Sequence, residues 1–483
     1  MEYFIPIKDH KIKFYFALCS GIIYQLGSSL VITIGNFCVY FASYIHYKDN
    51  WVNMQYGNIM APIILLLLSS FSPISGVIEK KIGPKLTLLL SSVIVEICFI
   101  LYYYQRNLWI FYTISVIIGI GNGISAGVPI KNACLYYPKK KGIINSSIVC
   151  LGGLVSSLYV TIGEKIINPD KVTIKDKKTN PFYPEEIANK SKNFFIFAMI
   201  VLPITTLLSL FLFYKYEKPK DKENENENEN INESKNEKML KQQKEKETNT
   251  KEILLTIRFW RNMIIVSLMP FWIYFLTATY RAYSPMLGVN SNLIPRLPTI
   301  ITALSSITGM IWALIFDKFG FQIITKIMSL SCIFLSIYFT IFIDNKTLYV
   351  IGLILSTVIS RVGMMSIINP HIMQVYEFRN YLIIGGFARL FNQLSFFIAG
   401  LTSIFLSFKY KTGDELKTPY AIIASIGIIL SYTGFILSLF ENDEKYIFKN
   451  NERYREQSLG INNQEIEIIS NEEKNVNIKS KNV

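Results

Sequence analysis

The chain has 483 residues, is 51% hydrophobic and carries a formal net charge of +14. Such a charge points to nucleic acid only where lysines and arginines gather in a compact domain with interleaved aromatics; here most lie in loops and tails, as in cytoplasmic loops beside anionic lipid, and nucleic acid is excluded as a partner. Cys19, Cys38, Cys98, Cys134, Cys150 and Cys332 form no CxxC pair, and His10, His46 and His371 are scattered, which excludes a disulfide framework and a zinc site.

In chain order, the short polar stretch Met1–Lys13 runs directly into an apolar helix and lacks the short core and small-residue cleavage site of a removable signal. The first span is therefore expected to act as an uncleaved insertion signal. Charge-free blocks follow, among them Ala61–Ile78, Leu86–Tyr104, Phe194–Tyr214 and Ala421–Phe440. Each is long enough to cross a hydrocarbon layer of ~30 Å as a helix, and no alternating barrel pattern accompanies them. The fold class expected is all-α integral membrane, with about twelve transmembrane helices in two six-helix halves. In the first half the spans fall at 16–41, 56–78, 86–104, 109–135, 143–162 and 193–214. In the second they fall at 262–283, 296–316, 324–343, 348–369, 382–407 and 419–440.

Residues 1–214 thus form one half and 258–442 the other, with 215–257 between them and a polar tail over 443–483. Glu223–Asn230 is a strict Glu-Asn alternation that cannot bury enough apolar surface to fold, so this linker and the tail are both expected to be disordered and cytosolic. Among the short loops, Lys and Arg concentrate in those holding Glu79–Lys85, Lys139–Lys141, Asp317–Lys318 and Arg379, which assigns that side and both termini to the cytosol.

The halves echo each other. Gly119, Gly121 and Gly123, then Pro129 and Tyr137, precede a lysine cluster; Arg361 and Gly363, then Pro370 and Phe378, precede Arg379. A second echo joins the stretch from Gly76 through Glu79, Lys80 and Lys81 to Gly83 with that from Ala313 through Asp317 and Lys318 to Gly320. Parallel halves around a midplane site are a transporter solution.

Three stretches carry a family likeness: Gly35, Asn36, Tyr40 and Tyr44 at the end of the first helix; the Gly-rich fourth helix with Tyr136, Tyr137, Pro138, Lys139 to Lys141 and Gly142 after it; and Gly385, Gly386, Phe387, Ala388 and Arg389 in the eleventh. Together they resemble the major facilitator superfamily and, within it, the oxalate/formate antiporter and monocarboxylate transporter branch. The resemblance places Arg389 where the oxalate transporter keeps a substrate-binding lysine. Lys80 stands where the superfamily usually has an aspartate, and Gly309 where the oxalate branch has an arginine. A monoanion is thus easier to hold than a dicarboxylate.

Arg389 and Arg361 are the residues of chief interest. A charge near the bilayer centre costs ~2.5–3.5 kcal/mol on insertion scales, so it faces a polar cavity or a partner, and very few acids lie within the spans to neutralise these two. Guanidinium meets a carboxylate with two parallel hydrogen bonds and stays charged at every relevant pH. A structural arginine, snorkelling or clamped on carbonyls, is the competing reading. Tyr24, Gln25, Asn36, Tyr40, Asn122 and Asn145 lie on helices that line the cavity in this fold and suit a small polar ligand, or else bond helix to helix. Glu96, in the third helix, is the mid-span carboxylate and the candidate for proton coupling, or else the structural partner of a base. Lys80, Lys81, Gly83, Asp317, Lys318 and Gly320 are the gating candidates.

The function expected is a secondary active transporter moving a small organic anion, chiefly a monocarboxylate, by alternating access, as symporter or exchanger and as a monomer, with a proton as the candidate coupling ion. No cofactor is implied, the nucleotide pattern GxxxxGK[ST] is missing, and no His-carboxylate constellation marks an enzyme. A carrier of a neutral or zwitterionic solute, and a transport-dead sensor, are the rivals. The plasma membrane is the default location, with a vacuolar or other internal membrane as the alternative.

Overall fold

The computed structural model describes residues 10–52, 56–57, 59–170, 172, 182–216, 250–289, 293, 297–361, 363–409 and 413–440. The linker and tail read from the sequence lie largely outside these residues. In the first half the helices are α1 His10–Thr33, α2 Cys38–His46, α3 Met60–Ile82, α4 Pro84–Tyr104, α5 Leu108–Ser125, α6 Val128–Tyr136, α7 Lys141–Ile167, α8 Glu185–Lys190 and α9 Asn193–Leu212. The second half has α10 Thr250–Leu254, α11 Ile257–Leu268, α12 Phe271–Met286, α13 Leu297–Phe342, α14 Lys346–Ser356, α15 Gly363–Val375, α16 Glu377–Lys409 and α17 Gly413–Leu439.

Eleven helical stretches among the described residues are long and apolar enough to cross a membrane. One of them, within the 46-residue α13, bends at Gly320 and supplies two spans, which gives twelve. Ile97, Ile100, Ile200, Ile204, Leu207 and Leu208 stand exposed on α4 and α9, a surface that only lipid covers without cost.

The echo around Gly83 and Gly320 is written into the backbone. Gly83 has φ 83° and ψ 163°, Gly320 φ 78° and ψ 178°. Both lie in a region that a Cβ disfavours, so glycine turns the chain sharply between the second and third span of each half. Asn107 and Asn345 show the same matching at two helix starts. Each side chain accepts from two backbone N–H groups, those of Trp109 and Ile110 and those of Thr347 and Leu348.

Breaks fall in the first and fourth spans of each half. α1 gives way to a 3₁₀ turn at Ile34–Asn36 before α2. Between α5 and α6 the chain turns at Ala126 and Gly127, with Pro129 in the first turn of α6. Met269 and Pro270 separate α11 from α12, and a π-helical segment, Thr357–Arg361, follows α14. Proline removes an intrahelical bond, and π segments are frequent at functional sites.

Three apolar clusters organise the interior. One mixes both halves, with Leu88, Val128, Ile144 and Ile148 from the first beside Met263, Phe316, Ile367 and Leu382 from the second. The others each belong to a single half, around Phe41, Phe111 and Phe195 and around Trp272, Tyr349 and Tyr420. The halves therefore share a core toward the end that carries the Gly83 and Gly320 turns.

Candidate functional site

Two seams join the halves: α3 lies along α16, and α7 along α13 and α15. On the first, small residues set the spacing. A methyl group on Gly386 would overlap the Pro73 backbone, and one on Gly76 would come within 2.9–3.0 Å of Ile383 and Leu382 side-chain carbons.

Arg389 sits in this seam, 7% exposed. Its Nη1 donates to Ser72 Oγ of α3 at 2.8 Å and its Nη2 to the Tyr381 hydroxyl at 2.9 Å, with Tyr381 two turns earlier on α16. Gly127, at the α5–α6 break, leaves room for it: a Cβ there would stand 3.1 Å from both Nη atoms. Among the described residues no carboxylate lies within ion-pair distance of Arg389; its charge is met by the two hydroxyls and by the Tyr381 ring, whose centre lies 5.9 Å from its Cζ. Neutral partners meet the hydrogen-bonding need of a buried guanidinium but leave its charge uncompensated. The backbone of Arg361 closes the π segment, and its side chain lies outside the described residues.

The second seam is latched at its end. Asp317 accepts from the backbone N–H of Gly142 at 3.0 Å and of Ile143 at 3.0 Å, capping the start of α7 from the other half. The positive end of a helix favours such a carboxylate. Lys141 Nζ donates to the Met373 carbonyl at 3.3 Å and lies 4.9 Å from the centre of the Phe378 ring. Lys318 lies over Phe319, while Lys80 and Lys81 are exposed on the last turn of α3, where cations suit the negative helix end. Asp317→Ala is expected to weaken closure at this end by about 1 kcal/mol, roughly a fivefold change in the closed-to-open ratio. Faster maleimide labelling of Cys134, fully buried beside Lys141, reports it; an unchanged rate refutes the latch.

Farther along this seam, Asn145 Nδ2 donates to the Ser366 carbonyl at 3.3 Å and Asn369 Nδ2 to Asn145 Oδ1 at 3.3 Å. Gln25 packs on Gly152 of α7. Tyr24 and Asn122 have a different setting, within the first half. Tyr24 donates to Ser91 Oγ at 3.2 Å, and Asn122 Oδ1 accepts from Ser28 at 2.8 Å. With Val31, Ser92, Val95 and Leu202 they line a cavity of about 10 Å³, room for one water. Tyr40 accepts from Asn168 at 3.4 Å and stacks on Tyr183 at 4.4 Å, near the far end of α7, and Asn36 ends the 3₁₀ turn. Glu96 is half-buried on α4, and its Oε2 is enclosed without a hydrogen-bond partner among the described residues. Sequence reading did not single out Ser72, Tyr381, Asn369, or the Tyr274 hydroxyl that donates to Asn392 Oδ1 at 2.7 Å. It also passed over the Glu79 partner of Lys131, 2.9 Å away within the first half.

Twelve spans in two echoing halves, joined at seams and broken in their first and fourth members, define a membrane transporter. A sequence profile of the Major Facilitator Superfamily matches residues 17–400, and the chain belongs to that superfamily. In fold it is similar to FucP, a transporter of this superfamily solved in the outward conformation. The TM-score is 0.58 and the identity 13%, over 89% of this chain and 99% of that one. Among curated proteins none matches the chain in sequence. The protein is a multi-pass membrane carrier whose fold supports secondary transport by alternating access.

Proposed function

We propose that the carrier moves a small organic anion, chiefly a monocarboxylate, with Arg389 as the group that meets the carboxylate. The observation that supports this reading is a buried guanidinium, placed between the halves, whose described partners are two hydroxyls. A carboxylate offers the same two donors both hydrogen bonds and the missing negative charge. Ser72 belongs to one half and Arg389 to the other, so an anion competing for Nη1 also competes with an inter-half bond. Differential binding of this kind is what alternating access requires of a substrate.

Arg361 is proposed as a second cation of the pathway, because its backbone lies in the π segment that interrupts the tenth span. Gln25 and Asn145 are proposed as neutral contacts along the α7 seam. The other sequence candidates are proposed as support for the first half's packing: Tyr24, Tyr40 and Asn122 on the strength of the bonds described above, and Asn36 from its place at the end of the 3₁₀ turn. Glu96 is proposed as the coupling carboxylate because one of its oxygens is enclosed and unbonded. The exchanger or symporter mechanism of the resembled branch is retained on the same footing.

Counterflow in proteoliposomes with labelled formate, acetate, an amino acid and a sugar tests the reading. Carboxylate exchange supports it. Exchange of only the neutral or zwitterionic solutes refutes the anion.

A further inference from the structure

We infer that the α7–α15 seam holds a second ligand contact: the amide oxygen of Asn369 takes a hydrogen-bond donor of the transported solute. The carrier then selects carboxylates bearing a hydroxyl or N–H group over those that lack one. This rests on the organic-anion reading above.

Pro370 has no N–H, so the carbonyl four residues earlier, that of Ser366, loses its intrahelical partner. Asn145, from the other half, donates Nδ2 to that carbonyl. A carbonyl only accepts, which fixes the orientation of the Asn145 amide and points its Oδ1 at Asn369. Asn369 must then offer Nδ2, and it does, at 3.3 Å. What is left over is therefore an oxygen and not an N–H group. Asn369 is 3% exposed and Asn145 fully buried. Among the described residues Asn369 Oδ1 is enclosed and has no hydrogen-bond partner, and neither has the hydroxyl of Ser146, the residue after Asn145. An enclosed acceptor left open is destabilising, so it calls for a donor that arrives from outside the protein's own side chains.

The depth agrees. At the rise of an α-helix, Asn369 lies ~9 Å inside the end of α15 and the Arg389 Cα ~18 Å inside the start of α16. Helical side chains lean toward the N-terminus, and the bond from Arg389 to Tyr381 shows that this one does. Its guanidinium is thereby brought back toward the level of Asn369. Both groups lie between the halves, where a solute in transit passes. A charged end at Arg389 and a donor at Asn369 describe a bifunctional anion.

Full-length protein in proteoliposomes, assayed by counterflow with glycolate against acetate and with 3-hydroxypropionate against propionate, tests this. At least one hydroxylated acid is expected to be preferred by about tenfold, the worth of one hydrogen bond. In Asn369→Leu that ratio is expected to fall to about one, whatever total uptake is lost with its bond to Asn145. A wild-type ratio of one in both pairs overturns the inference, even if carboxylates are carried and the anion reading stands. So does a ratio that Asn369→Leu leaves unchanged; equal loss of both acids in a folded variant assigns Asn369 to packing, with a water on its oxygen. Exchange of no carboxylate at all removes the anion reading and this inference together. The wild-type ratio needs no variant and decides the matter should Asn369→Leu fail to fold.

Discussion

Arg389→Gln is expected to lower carboxylate counterflow by about 100-fold or more, because a buried charge-assisted pair loses ~3–5 kcal/mol when one partner goes. Glutamine removes the charge and keeps a polar end of smaller volume, although it stops two bonds short of the atoms that reach Ser72 and Tyr381. Arg389→Lys restores charge without the two-pronged geometry and is expected to recover only part of the flux, mainly at high substrate. Thermal unfolding in detergent separates this role from a structural one. A guanidinium kept only for packing is buried at a cost, and its neutral replacement then melts higher with transport intact. That pair of results would remove Arg389 from the site.

Gly386→Leu is expected to abolish transport by preventing closure of the α3–α16 seam. The position faces backbone, the nitrogen and Cα of Pro73, which cannot rotate aside as a side chain can. Overpacking costs ~1–3 kcal/mol where neighbours yield and more where they do not, enough to shift the open-to-closed ratio by roughly 100-fold. The measurement is maleimide labelling of Cys134 in a protein whose other cysteines are replaced, since Cys134 is buried in the cluster that joins the halves. Labelling should rise by at least about tenfold on the same arithmetic. Normal flux with unaltered labelling shows that the seam never tightens as drawn here.

Hydropathy carries the membrane fold because each span must be apolar along its whole length, a constraint that needs no knowledge of neighbours. The glycines at 83 and 320 were legible for a related reason, since a positive φ restricts the residue locally. Rotation of a helix about its axis is another matter. Tyr24 and Asn145 look alike in sequence, as polar residues in apolar helices, yet one bonds to α4 of its own half and the other to α15 of the opposite half. Which face a polar group takes is decided by the surrounding helices, and hydropathy is blind to it. Asn369 was hidden for a second reason: its amide is oriented through Asn145, which answers the Ser366 carbonyl freed by Pro370, and in the sequence that proline is only one member of the echo between the halves.

Three of the contacts that hold the halves together are lopsided in kind. Asp317 reaches the main chain of Gly142 and Ile143, Lys141 reaches the main chain of Met373, and Asn145 reaches the main chain of Ser366. Each contact has a side chain on one partner and only peptide on the other. Mutational drift can therefore rewrite the peptide-bearing side without breaking the contact wherever a side chain has room, which excludes Gly142, where a Cβ would stand 2.5 Å from the Asp317 carboxylate. Paired substitutions across the seams have no chemical reason to arise at these points. A comparison of relatives that searches for co-varying residues will pass over these three contacts.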